Sequence, residues 1–470
     1  MTSRLIVSNQ YKNRVREIEP VLSFGRVQKV VGTTIIAKGP HTALGDWCRI
    51  KLRNGRMRDA LVVGFQNHQV ILMAFGPVEG IGSGDEIVSA STPFSVGVGH
   101  ALLGRILDGL GRPIDGLDHP RAEEHRSLLS EPPPPLSRSS IREPFHTGIP
   151  AIDGLLTIGR GQRVGIFSGS GVGKSTLIGN IVRNGSADVN VIALIGERGR
   201  ELKDFLEKSL GPEGMRNSVV VSVMSNESAA LRISGAYTAT TIAEYFRDRG
   251  ANVLLMMDSL TRVAMAQREI GLGVGEPPTT RGYPPSVFAM MPKLLERAGT
   301  SERGSITGIY SILIEADDMN DPVGDSARSI LDGHIVLSRA LAAKGHYPPV
   351  DVLRSVSRTM PDVVSERHLS VATRIRSYMA EYEEIEDLIN LGGYKAGMNP
   401  EIDQAVRKEP AIRAFLRRDS YDTARFGELE TSMQHILEEA HDESATQRAH
   451  GEMVRAQGTP GAVPAGRSAS

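Results

Sequence analysis

The segment Ser168-Gly169-Ser170-Gly171-Val172-Gly173-Lys174-Ser175 follows the apolar run Val164-Gly165-Ile166-Phe167 and precedes Thr176-Leu177-Ile178-Gly179-Asn180-Ile181-Val182, whose apolar spacing is helical. A strand, a glycine-rich turn and a helix N-terminus in that order commit the chain to an α/β unit built around polyphosphate, because unpaired amide N–H groups and the helix dipole converge on one anion. Gly169, Gly171 and Gly173 let the backbone take positive φ and approach phosphate with no Cβ in the way. Lys174 places a point charge against the β and γ oxygens, and the Ser175 hydroxyl is set to ligate Mg²⁺. Ser170, Val172 and Thr176 complete the predicted triphosphate-binding stretch. The run departs from G-x-x-x-x-G-K-[ST] at its first position, where Ser168 stands for glycine; the three following glycines are expected to supply the turn.

A chain of 470 residues is too long for one core and predicts two to four domains. A formal net charge of −1 argues against a nucleic-acid protein held by a global basic field. Cys48 is the only cysteine, which excludes a disulfide framework and a cysteine-cluster metal site and makes it a candidate small buried residue. No apolar stretch approaches the length of a membrane span, so a soluble, cytoplasmic protein is expected.

Residues 1–20 mix scattered arginines and a lysine with aliphatic residues and read as a flexible N-terminal segment or a peripheral membrane or partner contact. From 21 to 95 short strand patterns recur at 25–31, 33–37, 60–65 and 69–74, punctuated by Asn54-Gly55 and Asn67-His68, and predict a small β-barrel. Residues 96–360 carry the P-loop domain, with strand patterns at 164–167, 189–195, 219–223, 253–257 and 305–314 alternating with helical ones; this predicts a mostly parallel sheet covered on both faces. Within it, 117–147 contains Pro132-Pro133-Pro134-Pro135 and reads as an extended surface connection. From 361 to 445 the three- and four-residue spacing of Val371, Ile375, Tyr378, Met379, Tyr382, Ile385 and Leu388 predicts a helical domain, with Gly392-Gly393 ending one helix and Asn399-Pro400 starting another. The tail 446–470 has a disordered composition.

Two further strand ends carry charge. Val253-Leu254-Leu255-Met256-Met257-Asp258 closes on a carboxylate that, beside a P-loop, orients Mg²⁺ or its waters; taken alone, such an Asp is more often a helix cap. Val191-Ile192-Ala193-Leu194-Ile195-Gly196 leads into Glu197-Arg198-Gly199-Arg200-Glu201, where a carboxylate polarises the attacking water and an adjacent arginine touches phosphate, or where the charges are a solvated cluster.

Gly196-Glu197-Arg198-Gly199-Arg200-Glu201, Met257-Asp258-Ser259-Leu260-Thr261-Arg262, Gly275-Glu276-Pro277-Pro278-Thr279-Thr280-Arg281-Gly282-Tyr283-Pro284-Pro285, Asp317-Asp318-Met319-Asn320-Asp321-Pro322 and Ile330-Leu331-Asp332-Gly333-His334 together resemble the ATPase of flagellar and type III protein export, a family similar to the catalytic subunit of rotary ATP synthases. The resemblance runs from about residue 22 to 440. It implies a RecA-like P-loop core between the barrel and the helical domain, Mg²⁺-dependent ATP hydrolysis, and a homohexamer with active sites at subunit interfaces. By the same resemblance Glu197 is the catalytic glutamate with Arg198 beside it, Tyr347 stacks on adenine, and Arg358 is the arginine finger that reaches the neighbouring subunit's nucleotide. The aromatic residues that rotary ATPases bring to the base from their C-terminal helices have no counterpart around Val406–Ile412, so aliphatic groups are expected on its second face. The Gly- and Pro-rich stretch 268–285 is expected to face the pore, with Arg281 and Tyr283 as contacts.

The resemblance also implies partners: export-apparatus stalk and regulatory proteins, chaperones and exported flagellar proteins, at the inner face of the plasma membrane and without nucleic acid. The virulence injectisome ATPase shares nearly every motif and stands as the alternative. A proton-coupled ATP synthase catalytic subunit and an RNA-dependent ring translocase are further alternatives, the latter weakened by the few aromatics of the barrel segment.

Overall fold

The computed structural model describes residues 23–314, 321–417 and 426–438. The segments 1–20 and 446–470, and the motif residues Asp317-Asp318-Met319-Asn320, lie outside the described residues.

Six strands form the N-terminal barrel: β1 (Phe24–Val31), β2 (Thr34–Lys38), β3 (Asp46–Lys51), β4 (Met57–Gln66), β5 (Gln69–Ala74) and β6 (Glu86–Pro93). They close in the order β1-β2-β5-β4-β3-β6, which leaves no free edge. Asn67 and His68 join β4 to β5 with φ of 48° and 60°, the two positive values that a two-residue hairpin of matching twist requires. Alternate residues fill the interior, and Cys48 is fully buried there beside Ile50, Ala60 and Ile87. The strand patterns missed β3 and β6, because each offers only one or two inward apolar residues among charged and small ones.

The central sheet contains β7 (Ile106–Leu107), β8 (Arg163–Ser168), β9 (Val189–Glu197), β10 (Ser218–Met224), β11 (Asn252–Asp258), β12 (Ser305–Leu313), β13 (Gly333–Leu337) and β14 (Val350–Ser357). Its main path runs β14-β13-β8-β12-β11-β9-β10-β7, all parallel except the pairing of β14 with β13, and the two-residue strand Gly299–Thr300 pairs antiparallel with β12 off that path. The helices that carry or flank the site are α1 (Lys174–Asn184), α2 (Ala229–Arg247), α3 (Leu260–Gly273), α4 (Pro285–Leu295), α5 (Glu366–Asn390), α6 (Pro400–Leu416) and α7 (Phe426–Glu438).

A parallel sheet is buried on both faces, and the strands alternate between two cores accordingly. Val191, Ala193 and Ile195 of β9 pack on one side with α2, while Ile192 and Leu194 pack on the other with Leu177 and Ile178 of α1. Asn399 caps α6, its side-chain oxygen accepting from Glu401 N at 2.9 Å. The C-terminal helices close on the central domain at Gly154, where an added Cβ would lie 2.9 Å from both Phe415 and Met433.

Two segments are more ordered than their composition suggests. In 117–147 a strand at Glu124–Ser127 pairs with Ser95–Val98, and Arg138 donates to the carbonyls of Glu296 and Ala298 at 2.5 and 2.9 Å. In 268–285, α3 continues to Gly273, so the irregular stretch begins only there. Tyr283 is not available as a pore contact: it is buried, its ring under Arg268 and edge-on to Phe288, whereas Arg281 is exposed.

Candidate active site

Three strands deliver the site. β8, β9 and β11 are parallel and end at the same side of the sheet, the side where side chains and helix N-termini converge in open α/β folds. Ser168 is the last residue of β8, paired with Leu313 and Leu337. Extended backbone needs no glycine, which is why the departure from the P-loop pattern costs nothing. The turn then runs through Gly169–Gly173, with Gly171 and Gly173 at φ of 77° and 96°, and Lys174 opens α1. Ser175 and Thr176 lie in the first turn of that helix, both exposed to solvent.

Lys174 lies between two carboxylates. Its Nζ is 2.5 Å from Asp258 Oδ1 and 4.0 Å from Glu197 Oε1. Asp258 is buried, and the residue that caps α3 is its neighbour Ser259, which accepts from Arg262 N at 3.3 Å. Capping therefore leaves the Asp258 carboxylate to Lys174 and to Ser311, whose hydroxyl donates to Oδ1 at 2.5 Å.

Glu197 ends β9 after a break in register at Gly196, whose φ is 76° and whose missing Cβ leaves room for Arg262 at 2.9 Å. This kink sends the Glu197 side chain toward Lys174, with Oε1 buried and without a hydrogen-bond partner. Burial, a hydrogen bond with Glu201 and the charge of Asp258 raise the Glu197 pKa to about 8, while Lys174 opposes them. Glu201 is pushed the other way, chiefly by the same hydrogen bond, so one proton is held on the Glu197 side of the pair.

Tyr347 sits over the turn: a Cβ at Gly173 would lie 3.5 Å from its ring, which is half exposed. Arg198 is exposed at the start of the short helix Gly199–Asp204, and its charge acts on Glu201. Arg358 is not brought to this site. Ser168 is level with Leu337 and Val350, whereas Val164 is level with Gly333 and Ser357. The length of β8 between those levels is about 13 Å at the usual rise per residue. Arg358 thus leaves the sheet at the end opposite its own P-loop, and among the described residues its guanidinium has no hydrogen bond or ion pair.

Ser311 and Glu201 join the site without having been assigned a role from sequence. Glu201 was visible in the charged turn, but a lone serine in an apolar strand carries no signal; only the pairing of β12 with β11 brings it to Asp258.

Three family models cover most of the chain: the ATP synthase alpha/beta family beta-barrel domain over 27–90, the nucleotide-binding domain of that family over 148–357, and the T3SS EscN ATPase C-terminal domain over 364–435. The flagellum-specific ATP synthase of Bacillus subtilis is 50% identical over 403 residues, covering 85% of this chain and 92% of the relative. The assembled ATPase EscN from the type III secretion system of enteropathogenic E. coli superposes with a TM-score of 0.84 at 46% identity, over 88% of this chain and 100% of that one. EscN in complex with its central stalk EscO gives a TM-score of 0.81 at 45% identity, with the same coverage. The chain belongs to the ATP synthase alpha/beta family and, within it, to the ATP-hydrolysing enzymes of flagellar and type III secretion export.

Proposed function

We propose that this chain is the ATPase that energises export of flagellar proteins through a type III apparatus, working as a homohexamer whose active sites lie between protomers. The observation that carries the shared site is the placement of Lys174, Glu197 and Asp258 at one end of the sheet and of an unpaired Arg358 at the other. A rigid sheet cannot bring that guanidinium to its own P-loop, but a neighbouring copy can.

In this reading the amides of Gly169–Thr176 hold the triphosphate, Lys174 neutralises its β and γ oxygens, and Tyr347 stacks on adenine. Glu197 accepts a proton from the attacking water and Arg198 lies beside it. The neighbour's Arg358 meets the charge that develops on the γ-phosphoryl group, where a planar, permanently charged fork is most useful. The residues present fit Mg²⁺: Ser175 offers a hydroxyl, Asp258 a carboxylate, and Glu197 Oε1 is an orphaned buried oxygen. Donors so few leave most of the coordination of such an ion to phosphate and water, the usual arrangement for Mg²⁺ at a nucleotide. Bound there, it would offset the negative charge of the phosphates.

No helix among the described residues is long and apolar enough to cross a membrane. The proposed location is the cytoplasmic side of the plasma membrane, held peripherally, with a stalk protein, regulators, chaperones and flagellar cargo as partners. The injectisome is the second reading, favoured by the match of 364–435 to the EscN C-terminal model. Deleting the gene and scoring flagella against secreted effectors separates the two.

The shared site is tested by mixing. Arg358→Ala protomers, inactive alone, should regain turnover when co-assembled with inactive Lys174→Ala protomers that supply a finger. Specific ATPase activity should also rise with protein concentration as rings form; a flat dependence together with no complementation would remove the shared site.

A further inference from the structure

We infer that Gln162 is a positioning residue for Arg358: its buried amide locks the residues on either side of the finger to the root of the P-loop strand. The inference rests on the shared-site reading and adds to it the device that aims the finger.

Gln162 is fully buried immediately before β8. Its oxygen accepts from Gly159 N at 2.8 Å and from Thr359 Oγ1 at 2.5 Å. Its nitrogen donates to Asp332 O at 3.0 Å and to Ser357 Oγ at 3.2 Å. A backbone N–H only donates and a carbonyl only accepts, so these four contacts fix which amide atom is which. Ser357 spends its own proton on Thr157 O at 2.7 Å, which leaves its oxygen to accept from Gln162.

The two side chains that Gln162 holds, Ser357 and Thr359, flank Arg358, and the third contact, Asp332 O, also accepts from Arg358 N at 3.1 Å. The backbone of the finger is therefore pinned before, at and after the arginine, while the guanidinium projects free. Gly333 keeps the arrangement open, because a Cβ there would lie 2.6 Å from Val356 O and 3.0 Å from Gln162 Nε2. An arginine on an unpinned strand end would sample many positions, and misplacement of a catalytic group by about 1 Å costs up to 10²-fold in rate. The other end of the strand that Gln162 precedes carries the P-loop, so one rigid strand links a protomer's own nucleotide to the finger it lends.

Gln162→Ala should lower kcat about ten- to a hundredfold while each protomer binds a fluorescent ATP analogue with wild-type affinity, because its own P-loop is intact. Co-assembled with excess Lys174→Ala, Gln162→Ala protomers should recover turnover, since their sites then receive well-aimed fingers from their neighbours. The control is the Arg358→Ala and Lys174→Ala mixture. If the control complements and Gln162→Ala does not, the positioning role is overturned and the shared site stands. If neither complements, the shared site falls and the inference with it. Loss of analogue binding in Gln162→Ala also overturns it, by placing the residue in the service of its own P-loop. Thr359→Val removes a single contact and keeps the test available if the alanine variant does not fold: a smaller fall in kcat with the same complementation is expected, and an unchanged kcat counts against the clamp.

Discussion

Lys174 Nζ and Asp258 Oδ1 lie 2.5 Å apart although 84 positions separate them in the chain. The contact joins the first residue of α1 to the last residue of β11, and Ser311 reinforces it from β12. Lys174→Met should abolish ATPase activity, and it should also lower stability by about 3–5 kcal/mol if Asp258 stays ionised and buried. Phosphate release and urea denaturation measure the two effects. A stable, fully active Lys174→Met would contradict the site.

Glu197 predicts a pH profile. In the proposed mechanism its ionised form takes the water proton, and its pKa is raised to about 8 by burial, Glu201 and Asp258. The kcat/KM of the enzyme should therefore climb with pH through that region. Glu201→Gln removes a charge and a hydrogen bond that favour the proton, so the inflection should move to lower pH. An inflection that stays in place would show that another group controls the rate. Folding carries the opposite sign: between the ordinary carboxylate pKa of 4.5 and about 8 the folded state binds the extra proton, so Glu197 makes stability fall as pH rises through that window. Glu197→Gln should lose hydrolysis by about 10²- to 10⁴-fold with ATP still bound, and it should flatten that part of the stability curve.

Tyr347 should act on binding rather than on chemistry. Its ring lies against Gly173 with half its surface open. Tyr347→Ala should raise KM roughly tenfold with kcat retained, as expected for the loss of one stacking contact, and Tyr347→Phe should be near wild type. Steady-state kinetics decides this; an equal loss in kcat and kcat/KM would move Tyr347 away from the base.

Arg297 and Glu244 form a structural pair far from the chemistry, 1% and 5% exposed, with Arg297 Nε donating to Glu244 Oε1 at 2.9 Å and Nη1 to Leu128 O at 2.6 Å. Arg297→Met should cost about 3–5 kcal/mol in urea unfolding because it strands a buried carboxylate, and adding Glu244→Leu should recover much of that loss. Additive damage from the second substitution would mean that the pair is not coupled.

Much of the site was legible because its groups sit at strand ends, where local pattern and chemistry coincide. The P-loop, Glu197 and Asp258 each follow an apolar run, and each run became a strand of the central sheet. β13 and β14 escaped notice because Gly333-His334 and Arg354-Ser355 interrupt their apolar pattern; pairing with β8 and burial of alternate residues make them strands. Tyr283 misled for the converse reason: its glycine- and proline-rich neighbours suggested exposure, but Arg268 and Phe288 cover its ring.

Residues close together in the chain were enough to specify the polyphosphate cradle, the alternation of strands and helices, and the family. Two relations emerged only from the packed domain: Ser311 supports Asp258, and Arg358 faces away from its own P-loop. Each depends on strand order and register, which are set by how distant segments pair and pack rather than by the preference of any one segment.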